Sequence, residues 1–181
     1  MLCQFRQDKD RPERKTLANY IHHQGFYAAG RLDFDSEGLL LLTNNGKLQQ
    51  RISDPKFKLE KTYWVQVEGN PTELQLEQLR TGTELKDGKT KPALASRMEI
   101  PKIWSREPAV TPHRDQRSHW IKLSIKEGKN RQVRRMCAAV GLPVLRLIRS
   151  QIGDWRLDKL SPGELLEIHS NVQNHTRVSK Q

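Results

Sequence analysis

Cysteine is scarce: the 181 residues hold two, Cys3 and Cys137. Two thiols placed so far apart make no disulfide framework and no Cys-x-x-Cys pair, and such usage fits a reduced compartment. Long apolar runs are missing as well. Residues 1–20 contain no stretch of the kind a secretory leader carries. The run Leu39–Leu42 is far shorter than a bilayer span. A cytoplasmic protein is expected. Ligand-binding patterns are absent too. His22 and His23 are adjacent, so they diverge on a helix or a strand, and His113, His119, His169 and His175 show no metal-ligand spacing. There is no P-loop and no Gly-x-Gly-x-x-Gly, and Gly128-Lys129-Asn130 lacks the upstream glycine of a phosphate loop. The reading therefore expects no metal and no cofactor.

Acidic residues are in deficit. Thirty-two Lys and Arg face 21 Asp and Glu, a net charge of +11. Solubility of a small domain needs a magnitude of only about 2–8, so the surplus points to a polyanion, nucleic acid before acidic membrane. The surplus is localised. Residues 114–156 carry eleven Lys and Arg (Arg114, Arg117, Lys122, Lys126, Lys129, Arg131, Arg134, Arg135, Arg146, Arg149, Arg156) against Asp115, Glu127 and Asp154, a local excess of +8. Such clustering suits a phosphate backbone. A solvated helix face is the competing reading for the helical part alone.

The pattern along the chain is α+β. Residues 6–15 are almost wholly charged and read as an exposed loop, followed by a short helix over 15–21. A buried strand is expected over 39–43, a turn at Asn44-Asn45-Gly46, and a helix from Lys47 to about Ile52. Residues 61–68 alternate, with Tyr63, Val65 and Val67 on one face. Asn70 as cap, Pro71 at the first helical position and Glu73 announce a helix that Leu74 and Leu79 anchor and Gly82 ends. Further strands are expected over 93–103, 120–125, 144–150 and 164–169, with a long loop over 104–118. Within 129–140, Val133, Met136, Cys137 and Val140 fall on one helical face. Residues 170–181 form a polar tail.

Two places can carry chemistry. The stretch Gly30–Gly46 reads GRLDFDSEGLLLLTNNG. Asp33 sits there just before the expected strand, where a partly desolvated carboxylate needs a cationic partner, and an arginine can hold it ionised and aimed. A turn cap, or a local pair with Arg31, explains Asp33 equally well, and Asp35 is an equal candidate by spacing. Tyr63 is the second place: a core tyrosine, or a shelf for a base with a polar tip.

GRLD at 30–33 with DSEGLLLLTNNG after it, Lys61-x-Tyr63-x-Val65, and EGKNRQVRRM at 127–136 occur in order. Together they resemble the three motifs of the RsuA-type pseudouridine synthases, over about residues 16–169. The resemblance implies a mixed α+β catalytic domain built on a bent, largely antiparallel sheet with flanking helices. It also implies isomerisation of a uridine in large-subunit (23S) ribosomal RNA, with the uridine flipped from its stack and no cofactor. By the match of motifs, Asp33 is the nucleophile, at the sugar C1′ or at the uracil ring. Arg134 pairs with the aspartate, and Tyr63 stacks on the base and assists proton transfer at C5. Leu123 lines the pocket, and Arg31, Lys129, Asn130, Arg131, Gln132 and Arg135 are substrate-binding candidates. The partner is ribosomal RNA or a pre-ribosomal particle, with no membrane involved and the protein a monomer. The family carries an Asn-Lys-Pro strand upstream of this chain's first residue, and residues 1–5 resemble its tail. Residues 1–15 are accordingly read as an exposed segment and remnant of that strand. A non-catalytic RNA-binding or ribosome-assembly protein on the same fold is the alternative, although binding alone needs no Asp–Arg pair.

Overall fold

The computed structural model describes residues 3–10, 12–22, 25–57 and 59–168. Its strands are β1 (Tyr27–Ala28), β2 (Glu37–Gly38), β3 (Leu42–Thr43), β4 (Lys61–Glu68), β5 (Leu94–Met98), β6 (Ser118–Ile125), β7 (Val144–Ile152) and β8 (Trp155–Arg156). The α-helices are α1 (Gly46–Ser53), α2 (Glu73–Thr81), α3 (Pro112–Asp115) and α4 (Gln132–Ala139). One sheet runs β2-β7-β4-β6-β5, with β8 folded back on β7, and a two-stranded ribbon pairs β1 with β3. Every pairing in the sheet is antiparallel except β2 with β7. The mixed α+β class with a largely antiparallel sheet is as expected.

The sheet is buried on both faces, which is why its central strands are apolar beyond simple alternation. On one face Val65, Val67, Ile121, Leu123 and Leu147 meet Leu76 and Leu79 of α2 and Val133, Met136 and Cys137 of α4. On the other, Ile148, Ile152 and Trp120 pack with Leu39, Ile52, Trp64 and Trp104. β4 carries register shifts against β7 at Thr62/Tyr63 and Gln66/Val67, the kind of irregularity that bends a strand.

Four local expectations need correction. The stretch 39–43 is not one strand. Gly38 has φ of 101°, and its chain passes so close to β7 that an added Cβ would lie 2.4 Å from the Arg149 carbonyl oxygen. After that contact the chain leaves the sheet and pairs with β1. The cap of α2 is Thr72, whose hydroxyl accepts from the Gln75 amide while the Gln75 side chain accepts from the Thr72 amide. This reciprocal box satisfies two orphan amides, and Asn70 instead accepts from Arg97. Leu74 is 71% exposed; Leu76 joins Leu79 as the anchor. Residues 164–168 form no strand, and residue 169 lies outside the described residues. The tail at 170–181 also lies outside them. The long segment 104–118 is largely irregular, with α3 its one helix.

A candidate active site where residues 33–37 meet α4

Asp33 to Ser36 form a tight turn, closed by the Ser36 amide donating to the Asp33 carbonyl at 3.0 Å. The turn leads into β2, which lies beside β7. Asp33 keeps a side chain 36% exposed, with Arg131 Nη1 3.6 Å from its carboxylate.

The facing wall is the start of α4. Arg131 has a left-handed backbone, φ 46°, uncommon for a residue with a Cβ. The turn before it is fixed by Gln132, whose side chain accepts from the Lys129 amide and donates to Glu127. So placed, Arg131 donates to both carboxylate oxygens of Asp35, at 2.9 and 2.8 Å. That fork holds the Asp35 carboxyl below the usual aspartate range, the hydrogen bond from Arg131 being the main cause. Arg134, one turn along, donates to the Asp35 carbonyl at 2.7 Å and sets its Nε 3.4 Å from the Asp35 carboxylate. Burial works against the Arg134 charge, and Asp35 offsets part of that effect.

The floor is sheet. Tyr63 of β4 faces Leu123 of β6 on one side and Arg149 of β7 on the other. Burial raises the Tyr63 pKa, so the phenol stays neutral at physiological pH. A neutral phenol offers a ring face and a proton to donate. Leu123 is fully buried and packs beside Tyr63 as its cross-strand neighbour instead of lining an open surface. Lys61, at the start of β4, has its pKa lowered by burial and then by the nearby Arg149 charge.

Arg149 is the residue that sequence reasoning missed in this role. It is 4% exposed. Its Nε donates to the Leu39 carbonyl at 2.8 Å and its Nη1 to the Arg31 carbonyl at 3.0 Å, so it grips both ends of the loop that carries Asp33. The available signal was an arginine at an inward position of an expected strand, which demands a partner. Arg146 is a parallel case on the opposite face. It donates to both Glu37 carboxylate oxygens and to the Trp104 carbonyl, while the Trp104 indole donates to Glu37 at 2.7 Å.

Several basic residues read as a phosphate-binding cluster are therefore committed elsewhere. Arg146 and Arg149 are buried. Arg135 is forked onto Asp87, and Lys129 Nζ donates to the Asp87 carbonyl. Gln132 is buried in its turn, not presented as a substrate contact. Arg114 pairs with Glu68. Arg31 and Asn130 remain exposed. The pairing expected between Arg134 and Asp33 is replaced by contacts to Asp35, with Arg131 the arginine nearer Asp33. The spacing reaches the right turn, but the αL residue at 131 rotates the first helical turn so that Asp35 meets both arginines.

Three buried side-chain polar atoms among the described residues have no hydrogen-bond partner: Ser36 Oγ, Arg134 Nε and Arg149 Nη2. All three belong to this site. Two of them keep a polar neighbour: Arg134 Nε lies 3.4 Å from the Asp35 carboxylate, and the Tyr63 hydroxyl lies beside the Arg149 guanidinium.

Comparison with known proteins gives one answer. The family described as RNA pseudouridylate synthase matches residues 1–139. The chain is 52% identical over 163 residues to the ribosomal large subunit pseudouridine synthase E of Xanthomonas axonopodis pv. citri, covering 90% of this chain and 85% of that protein. The Vibrio vulnificus protein of the same name is 54% identical over 155 residues, covering 86% of this chain and 66% of its own length. A solved pseudouridylate synthase superposes with a TM-score of 0.72 at 31% identity, over 90% of this chain and 63% of the other.

Proposed function

The chain belongs to the RNA pseudouridylate synthase family, in its RsuA-type branch, and from that premise we propose that Asp33, Tyr63 and Arg134 form its catalytic centre, acting on large-subunit (23S) ribosomal RNA. It is an RNA pseudouridine synthase, an isomerase. The substrate proposal follows the names of the large-subunit relatives. The observation that supports the site most is the Asp33–Ser36 turn: its carboxylates face Arg131 and Arg134, beside a partly buried Tyr63. Asp33 has the exposure a nucleophile needs.

In the proposed reaction the target uridine leaves its stack, because its reacting atoms are out of reach inside a helix. Asp33 attacks, the C1′–N1 bond breaks and its electron pair stays with uracil. The base turns, C5 joins C1′ as Asp33 is released, and the C5 proton is lost while N1, which held the sugar, gains one. Atoms balance, so the residues need no redox partner. Tyr63 supplies a flat face for the base and a hydroxyl near C5. Arg131 and Arg134 hold the turn and favour the ionised Asp35 carboxylate. The protein acts as a monomer in the cytoplasm, without a cofactor, on ribosomal RNA or a precursor particle.

The test is tritium release from ribosomal RNA labelled at uridine C5, with wild-type protein and Asp33→Asn. Release by wild type alone supports the assignment. Equal release by both removes Asp33 from the mechanism.

A further inference from the structure

We propose that Arg149 is the residue that receives the uracil, donating from Nη2 to a carbonyl oxygen of the flipped base. This rests on the pseudouridine synthase reading and names how its pocket recognises the base. Arg149 sits on β7 directly across from Tyr63 on β4. Its Nε and Nη1 are fixed by backbone carbonyls of Leu39 and Arg31, at 2.8 and 3.0 Å. Those bonds lock the guanidinium plane, so Nη2 can point one way only. That nitrogen is buried and makes no hydrogen bond of good geometry, and the polar groups of the site that act on the guanidinium are the Tyr63 hydroxyl beside it and the Asp33 carboxylate.

The ligand chemistry follows from this placement. A donor locked inside a buried arginine cannot travel outward to the RNA backbone, as a surface lysine or arginine does. It meets only a group that comes up beside Tyr63 and Asp33. The group that enters beside Tyr63 is a planar base whose polar edge carries two carbonyl oxygens. A buried guanidinium also suits the reaction's charge. When the C1′–N1 bond breaks, the electron pair on uracil spreads onto its carbonyl oxygens. If Asp33 instead adds to the ring, charge also develops on a carbonyl oxygen. In either route the fixed donor meets charge that grows during the reaction, and such donors act mainly on the chemical step. Arg149 thus does two things with one side chain: it positions the Asp33 loop through two bonds and binds the base through the third nitrogen.

The experiment uses the whole protein and three measurements. Tritium release from labelled large-subunit ribosomal RNA is measured for wild type, Arg149→Lys and Arg149→Met, with melting temperatures alongside. We expect kcat to fall about 100-fold or more in both variants, as for loss of one oxyanion donor, with KM changed less than about threefold. Lysine keeps a donor for a loop carbonyl and should melt close to wild type, yet it cannot supply a third fixed nitrogen. Should Arg149→Lys restore both melting temperature and kcat, or Arg149→Met keep wild-type kcat, the proposal is overturned and Arg149 only supports the loop. The third measurement is the side-chain 15N spectrum of Arg149 on adding millimolar uridine 5′-monophosphate. A downfield Nη2 proton shift is expected; no shift rejects base binding. This reading decides the proposal even if wild type releases no tritium, an outcome that would count against the activity itself.

Discussion

Arg131 clasps Asp35 with two hydrogen bonds of 2.9 and 2.8 Å, joining positions 96 residues apart in the chain. The clasp brings the first turn of α4 against the loop that carries Asp33. It depends on charge, and its sign can be tested. Arg131 lowers the Asp35 pKa. The pair therefore contributes its full stability above the ordinary aspartate value of about 3.9, and loses it only as pH falls through the lower folded value. In wild type the Asp35 carboxyl 13C signal should titrate below that ordinary value. In Arg131→Gln its midpoint should rise. An unchanged midpoint would mean that the fork does not govern the Asp35 charge.

Arg134 should matter to chemistry more than to binding. Its contacts are with the Asp35 carbonyl and carboxylate, inside the site. Arg134→Ala should lower kcat by about 100-fold, the scale for removal of one fixed charge-stabilising donor. RNA affinity from filter binding should change less than about threefold. A parallel fall in both would make Arg134 a phosphate contact.

Gly38 cannot accept a side chain. Its φ is 101°, and an added Cβ would lie 2.4 Å from the Arg149 carbonyl oxygen and 2.8 Å from its amide nitrogen. Gly38→Ala must push β2 off β7. It should destabilise by about 3 kcal/mol or more, within the range of backbone strain and lost packing. Urea unfolding measures this, and a loss under about 1 kcal/mol would show that β2 can shift without consequence.

Glu37 is the counter-charge of the buried Arg146, with side chains 23% and 8% exposed. Removing one partner of a buried pair costs about 3–5 kcal/mol, so Glu37→Ala should lower stability by about 3 kcal/mol in urea unfolding. Trp104 should also lose its anchor, read as a change in tryptophan fluorescence. Stability equal to wild type would mean that water replaces Glu37 fully.

RNA binding should weaken steeply with salt, because phosphate contacts release counterions. Arg135 should contribute little to that slope, since its guanidinium is forked onto Asp87 at 2.7 and 3.1 Å. Arg135→Ala should leave the slope of log K against log salt unchanged. A fall of about 0.7–0.9, one phosphate's worth, would show that Arg135 leaves Asp87 for the RNA.

How legible was this in the sequence? Periodicity located α4 and its buried face, because Val133, Met136, Cys137 and Val140 repeat as a helix requires and all are buried. It located β4 and β6 for the same reason. It failed where one close approach outweighed local pattern. The leucines after Gly38 look like a strand, yet the positive φ at Gly38 ends the pairing after two residues. Asn70-Pro71 carried a capping signal, but Thr72 with Gln75 forms the actual reciprocal cap. In the candidate site, the motifs point to the turn and the helix that the fold brings together. What they could not specify was which arginine meets which aspartate, since that depends on the left-handed residue at 131. Nor can charge counting separate a guanidinium facing RNA from one inside the sheet. Arg146 and Arg149 differ from Arg131 only in burial, which long-range pairing decides.

β7 also sets an order of events during synthesis. The Asp33 loop leaves the ribosome before its fastenings, Arg146 and Arg149, which lie 109 to 118 residues further on. Until β7 has been made and inserted between β2 and β4, nothing in the chain can grip the carbonyls of Arg31 and Leu39 as Arg149 does. Contacts so distant along the chain close slowly, and domains form as their segments emerge. The segment that carries Asp33, the proposed nucleophile, is thus translated well before the strand that gives it its shape. A nascent chain released before residue 149 has Asp33, Tyr63 and Arg134 and no assembled site.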